Sequence, residues 1–286
     1  MAFVKILAPL TGGNRDEAVL TSAISAALPF GGHVAGLFVR SDPALTMPFY
    51  GEGVSTVVVQ EVMDTAKKES DRAAVAAQAI LSRLARATDV AVTEACEKRD
   101  APSVSLRETT GLFADCVARE ARLSDLVVFA AAKDDERSGI TEAVEAVLLE
   151  ARRPVLLSCR AMAPGFHERI AIGWNASVES AQAVSAALPF LTRAARVDVL
   201  AVAEPDAPCA QCDALVEYLK LHGVSAGARE IAAGERSVAQ ALLEEVDGAG
   251  LLVLGGYGHS RWRELFQGGI TRHAIAHSDL PLFLVH

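Results

Sequence analysis

Apolar and polar positions fall into blocks along this chain, with short apolar runs separated by longer amphipathic stretches. Residues 5–9, 34–39, 125–129 and 154–157 read as strands in the first half, and 169–173, 197–202, 250–254 and 281–284 in the second. Continuous apolar runs of this length suit strands buried on both faces. Between them, residues 64–88, 178–188 and 238–246 carry apolar side chains at helical spacing, and Ser177 and Ser237 stand where the last two would be capped. Strands alternating with helices predict an α/β protein with parallel sheets covered on both faces. Right-handed crossovers then make each sheet doubly wound, with ligands bound outside the carboxyl ends of its strands.

The pattern occurs twice. Ser25-Ala-Ala-Leu-Pro-Phe30 recurs letter for letter at Ser185-Ala-Ala-Leu-Pro-Phe190, and the strand runs of the two halves match in order. One hexamer could recur by chance, but ordered correspondences along the whole chain indicate duplication. The predicted architecture is two tandem doubly wound parallel-sheet sandwiches, over residues 1–159 and 168–286. Residues 160–167, without periodicity and carrying Pro164-Gly165, form the linker. The copies are expected to pair within the chain about a pseudo-twofold axis, with residues 154–158 and 281–286 near each other, which protects a sheet edge or face. Dimerisation of whole chains is compatible with this arrangement.

Composition narrows the function classes. A formal charge of −9 argues against general nucleic-acid binding, which needs a basic surface. No apolar run approaches the roughly 20 residues that span a bilayer, and the amino terminus lacks the pattern of a signal peptide. A cytoplasmic protein without nucleic-acid or membrane partners is expected. The five cysteines are dispersed, and only Cys209 and Cys212 have ligand-like spacing. Without a second pair they do not make a structural zinc site. No nucleophilic triad or metal cluster is recognisable, so no catalytic residue is assigned.

The most informative segment begins where the strand at 251–254 ends. Gly255, Gly256 and Gly258 close that strand, and Gly268-Gly269 come after a short amphipathic stretch. Glycines here let backbone amides approach a ligand, and amides opening a helix favour an anion. A phosphorylated ligand, most simply a nucleotide, suits this chemistry. The segment is also locally basic, through His259, Arg261, Arg263, Arg272 and His273. His259 and Arg261, nearest the glycines, are the candidates for contacting phosphates, while the others suit a solvated helix face. Trp174 and Trp262 suit either shielding of a base or packing. His33, His167, His222, His277 and His286 read as structural or surface residues.

Two α/β units, opening Ile6-Leu-Ala-Pro9 and Ile170-Ala-Ile-Gly-Trp-Asn175, the second carrying G-x2-G-x9-G at Gly255, Gly258 and Gly268, resemble the universal stress protein family. The chain looks like a tandem member over its whole length. The resemblance implies five-stranded parallel sheets of the adenine nucleotide alpha-hydrolase-like fold, and ATP, with or without Mg2+, as ligand. It implies that Gly255 and Gly258 approach ribose and phosphates, that Gly268 and the amides of Gly269 and Ile270 cradle the phosphates, and that Thr271 offers them a hydroxyl. Val202 would meet the base through its backbone. Asn175 stands where binders carry an aspartate, keeping an acceptor but losing a charge. Gly269 replaces a hydroxyl residue, and Gly173 stands where proline is common.

The first half departs further. After Phe129 the motif is replaced by Ala130-Ala-Ala-Lys-Asp-Asp-Glu-Arg-Ser-Gly139, whose side chains obstruct close approach and whose acids repel phosphate. The expected function is a regulatory ATP-binding protein of stress response, with nucleotide in the second half only. A scaffold that binds no nucleotide and a slow ATPase are the alternatives. Gly12-Gly13 mark a turn in the first half and little else.

Overall fold

The computed structural model describes residues 2–41, 56–94, 101–130, 139–158, 160–203, 212–234, 236, 238–246, 248–256 and 280–286. The first half contains strands β1 (Lys5–Leu10), β2 (His33–Arg40), β3 (Ala91–Val92), β4 (Ser103–Thr110), β5 (Leu126–Ala130) and β6 (Val155–Ser158). Its helices are α1 (Asp16–Ala27), α2 (Thr56–Ala87), α3 (Phe113–Ala121) and α4 (Ile140–Leu149). The second half contains β7 (Arg169–Gly173), β8 (Arg196–Ala203), β9 (Ala226–Ala232), β10 (Leu251–Gly255) and β11 (Leu282–Val285), with α5 (Val178–Leu191), α6 (Cys212–Leu221) and α7 (Val238–Glu245). No described helix is long and apolar enough to cross a membrane.

All the described strands join one 11-stranded sheet in the order β3-β4-β2-β1-β5-β6-β11-β10-β7-β8-β9. Each half is parallel within itself, and the halves meet where β6 and β11 pair antiparallel. The order is symmetric about that junction except for β3, a two-residue edge present only in the first half. The two doubly wound sheets therefore form one continuous pseudo-twofold surface, and each closing strand covers the edge that the other would expose.

The copies superimpose in register. Lys5 pairs with His33 as Arg169 pairs with Arg196, and Val127 pairs with Val155 as Leu252 pairs with Leu282. Even the entry bonds repeat. Asp125 N–H donates to the Lys5 carbonyl and Gly250 N–H to the Arg169 carbonyl, both at 2.8 Å. The apolar strand runs are buried throughout, because helices cover both faces. One core layer holds Phe38, Leu81, Val184 and Phe190, and the other Val117, Val147, Leu242 and Leu284.

Beside the junction lies an aromatic cluster. Phe190 packs against Phe3 at 4.8 Å, Phe166 at 5.3 Å and Phe30 at 5.6 Å between ring centroids. Phe166 comes from the segment linking the halves, which also docks on α1. There Ser25 Oγ donates to the Met162 carbonyl at 2.8 Å, and Met162 N–H donates to Ser22 Oγ at 3.1 Å.

The repeated hexamer does not take one conformation. Residues 28–30 form a 3-10 turn closed by Gly31 in the left-handed region at φ 61°, whereas Pro189 and Phe190 lie inside α5. The residues just after each copy make the difference: glycine ends the first helix, while Leu191 and Thr192 let the second continue. Strands β4 and β9 escape the apolar-run criterion because they are half solvated and carry Arg107, Glu108, Arg229 and Glu230.

Candidate functional site

In each half the winding direction reverses beside the first strand, between β1 and β5 and between β7 and β10. Such a reversal opens a crevice at the strands' carboxyl ends. In the second half Gly173 of β7 lies beside Leu254 of β10, so Trp174, Asn175, Gly255 and Gly256 come together at the mouth. The sequence-derived residues Gly173, Asn175, Val202 and Gly255 all sit at or near these ends. Gly258, His259, Arg261, Gly268, Gly269, Ile270 and Thr271 lie outside the described residues, as do Trp262 and Cys209.

The turn leaving β7 is built by its own polar side chains. Trp174 N–H donates to the Leu200 carbonyl at 2.8 Å, extending the ladder by one residue. Ala176 then takes φ 57°, a left-handed conformation uncommon outside glycine. Asn175 Oδ1 accepts the Ser177 N–H at 3.1 Å, and Ser177 Oγ accepts the Ser180 N–H at 3.1 Å. Ser177 is thus the N-cap of α5, as its position before the amphipathic run indicates. The Asn175 side-chain oxygen is thus already used by this turn.

Each of the three described glycines here has a packing reason. A Cβ on Gly255 would come within 2.6 Å of the Glu179 carbonyl oxygen and still nearer the Ser180 nitrogen, so glycine lets the first turn of α5 rest on the end of β10. A Cβ on Gly173 would meet only side-chain ends, Leu254 Cδ2 at 2.5 Å and Leu242 Cδ2 at 3.0 Å. Gly256 donates its N–H to the Val285 carbonyl, and a Cβ there would lie 3.1 Å from His286 Nδ1. Val202, half-buried and paired with Ile231, extends β8 beyond the end of β7. Trp174 packs partly into the core, and its indole Nε1 is buried without a hydrogen-bond partner among the described residues.

The first-half crevice is built differently. Asp16, 1% exposed, turns its carboxylate into the loop after β1. Oδ1 accepts the Thr11 N–H at 2.9 Å and Oδ2 accepts the Gly12 N–H at 2.8 Å. Burial pushes the Asp16 carboxyl above the usual aspartate range, and these amide bonds pull it partly back. The amides of this turn are therefore engaged by the chain itself. Gly12, at φ 77°, has Ala73 of α2 against it, with the Ala73 carbonyl 2.6 Å from a Cβ built there. Its role is to admit α2 onto the turn. Residues 131–138, which replace the glycine motif, lie outside the described residues.

Among the described residues, His33, His167 and His222 make contacts within the fold. His33 Nδ1 and Nε2 bond Ser103 Oγ at 2.8 Å and Ser105 Oγ at 2.9 Å, and the His222 ring lies tilted against Tyr218 at 4.7 Å. His167 packs on Phe166 and Phe190. Cys212 opens α6, and among the described residues no cluster of three metal-ligating side chains occurs. The contributions of Ser180, Glu179 and Asp16 to the two turns escape a search for glycine motifs. In the second half the helix cap at Ser177 marks this turn, and in the first an acid opens α1.

No family model matches this chain, and no curated protein matches it. Solved structures do. A universal stress protein from Archaeoglobus fulgidus DSM 4304 is 13% identical, with 98% of this chain and 95% of that one covered at a TM-score of 0.63. A protein from Pseudomonas aeruginosa UCBPP-PA14, described as a universal stress protein, is 14% identical over 99% and 93%, at 0.54. A functionally unknown protein from Pseudomonas aeruginosa PAO1 is 12% identical over 99% and 92%, at 0.53. The chain has the full-length fold of these proteins.

Proposed function

We propose that this chain is a nucleotide-binding protein of the universal stress type, regulatory rather than strongly catalytic, which takes ATP in its second half alone. Residues 1–159 and 168–286 are its two domains. The observation that carries the reading is the contrast between the two crevices. In the second, the ends of β7 and β10 meet the start of α5, and the crevice leads into the glycine-rich segment. In the first, the Asp16 carboxylate engages the corresponding turn and α2 lies against Gly12.

The described part of the crevice suits a ribose and base, with Val202, Asn175 and Trp174 along its wall. The phosphates, with Mg2+ where it is bound, fall to Gly258, Gly268, Gly269, Ile270 and Thr271, aided by His259 and Arg261. Occupancy would stabilise the second half by mass action and change what it presents to partners. No sequence motif places an acid as general base, so hydrolysis is expected to be slow or absent. The same reading puts the protein in the cytoplasm, without nucleic-acid or membrane partners, and is compatible with whole-chain homodimers.

Mass spectrometry of ligand released from freshly purified protein, paired with a thermal-shift titration with ATP and magnesium, tests this. Saturation at about 100 times Kd stabilises by about 2.7 kcal/mol. An unmoved melting temperature at millimolar ATP overturns the reading in favour of a scaffold that uses no nucleotide. One observation favours that alternative, the engagement of Asn175 Oδ1 by its own turn. A slow ATPase would release phosphate in a manner lost in Gly258→Val.

A further inference from the structure

A cavity of about 520 Å³ lies on the α7 face of the second-half sheet, at the amino-terminal ends of β7, β8 and β9. This is the end of the strands opposite the crevice. The two-residue period of strands places Arg169 and Ala171 of β7, Arg196 and Leu200 of β8, and Gly227 and Arg229 of β9 along one surface. The volume falls within the roughly 300–1,000 Å³ of small-molecule sites.

The first half shows what the same position looks like when closed. By register, Leu7 corresponds to Ala171, His33 to Arg196 and Ser105 to Gly227. Leu7 is buried, and the His33 ring bridges Ser103 and Ser105 across the strands. In the second half a Cβ on Gly227 would meet nothing within 4 Å. Gly227, and arginine in place of the bridging histidine, leave the space beside β9 open, while Ala171 is as buried as Leu7.

The surrounding charges are unevenly matched. Arg196 is held by Asp198 at 2.8 Å, Arg229 by Glu245 at 3.0 Å, and Glu244 by Arg236 at 2.6 Å. The Arg229–Glu245 pair repeats Arg107–Glu120 of the first half, 3.1 Å apart, and belongs to the duplicated architecture. Arg169 has no carboxylate partner among the described residues, and its guanidinium lies over Gly248 at the cavity. A guanidinium fork matches a carboxylate with paired hydrogen bonds. Ala171 and Leu200 underlie the cavity as part of the buried core, and Ala249 and Val246 add apolar lining.

We propose that this cavity binds a small organic carboxylate, with its anionic group on Arg169 and its apolar body against Ala249 and Val246. The inference stands apart from the nucleotide reading, because the two sites lie at opposite ends of the strands.

Fluorine NMR of 4-fluorobenzoate with the full chain tests it. The probe's resonance should broaden with a Kd of about 1 mM or tighter, and Arg169→Gln should weaken binding about tenfold. The combined Ala171→Leu and Gly227→Ser variant, which restores the side chains of the first copy, should abolish broadening. Arg169 is exposed, so Arg169→Gln keeps the wild-type melting temperature and the test readable even where the filled variant folds poorly. No broadening at about 10 mM probe overturns the proposal. So does binding that survives both variants, displacement by equimolar inorganic phosphate, or displacement by ATP, which would place the probe in the crevice.

Discussion

Leu156 of β6 faces Phe283 of β11, and the neighbouring pairs exchange about them, Leu157 facing Leu282 and Val155 facing Leu284. Because Val155 corresponds to Leu282 and Leu157 to Leu284 between the copies, the pseudo-twofold axis passes between Leu156 and Phe283. A symmetric contact of this kind is what a homodimer of single domains would make, here closed within one chain.

Phe283 is fully buried and packs on Phe3 and Phe190 at centroid distances of 6.3 Å. Phe283→Ala leaves a cavity at the axis and should cost about 3–5 kcal/mol. Denaturant unfolding measures this, and a loss below about 1 kcal/mol would contradict a shared core at the junction.

Gly255 and Gly173 should respond differently to alanine. At Gly255 the added methyl meets the Glu179–Ser180 backbone, so α5 must move, at a cost of about 1–3 kcal/mol and with loss of ligand-induced stabilisation. At Gly173 it meets the ends of two leucine side chains, which can turn away. Thermal melts of the two variants with and without ATP give the ranking. Equal effects would show that α5 does not brace the crevice.

Asn175→Asp should strengthen nucleotide binding. One carboxylate oxygen would keep the Ser177 N–H while the other takes a ribose hydroxyl as a charged acceptor, a gain of about tenfold. Calorimetric titration reads the change. Unaltered affinity would remove Asn175 from the site.

Asp16→Asn should destabilise the first half. An amide can replace only one of the two accepting oxygens and sets its N–H groups against the Gly12 or Thr11 N–H, at about 1–3 kcal/mol. A variant as stable as the parent would mean that the Asp16 carboxylate does not order this turn.

Stability should fall on mild acidification. Burial holds His33 below the usual 6.5, helped by Lys5. Burial likewise holds His167 below 6.5, with Glu168 opposing and Arg193 adding to the effect. Below 6.5 the unfolded chain takes protons that the folded chain resists, so the stability present above that pH is lost as pH drops through it. Melting temperatures from about pH 7.5 to about pH 5.5 should decline, and less so in a His33→Asn, His167→Phe double variant. An identical slope in both proteins would assign the decline to other groups.

The crevice was legible to the extent that its pieces are local. Ser177 as a cap and Gly255 ending an apolar strand can be read from neighbouring residues alone. The competing uses of Asn175 and Gly255 were not legible, since hydrogen bonding within the turn and the approach of α5 depend on how elements meet. Strands β4 and β9 were hidden because their solvated faces carry charges.

By itself the sequence determined the duplication, the core strands and the parallel winding, because hydrophobic period and buried length leave few other arrangements. Tertiary structure alone decided that the closing strands join antiparallel into one sheet. It also left the space beside Gly227 open in the second copy, where the His33 ring bridges Ser103 and Ser105 in the first. Each of these depends on which surfaces find partners across long separations in the chain, and local residue patterns do not encode that.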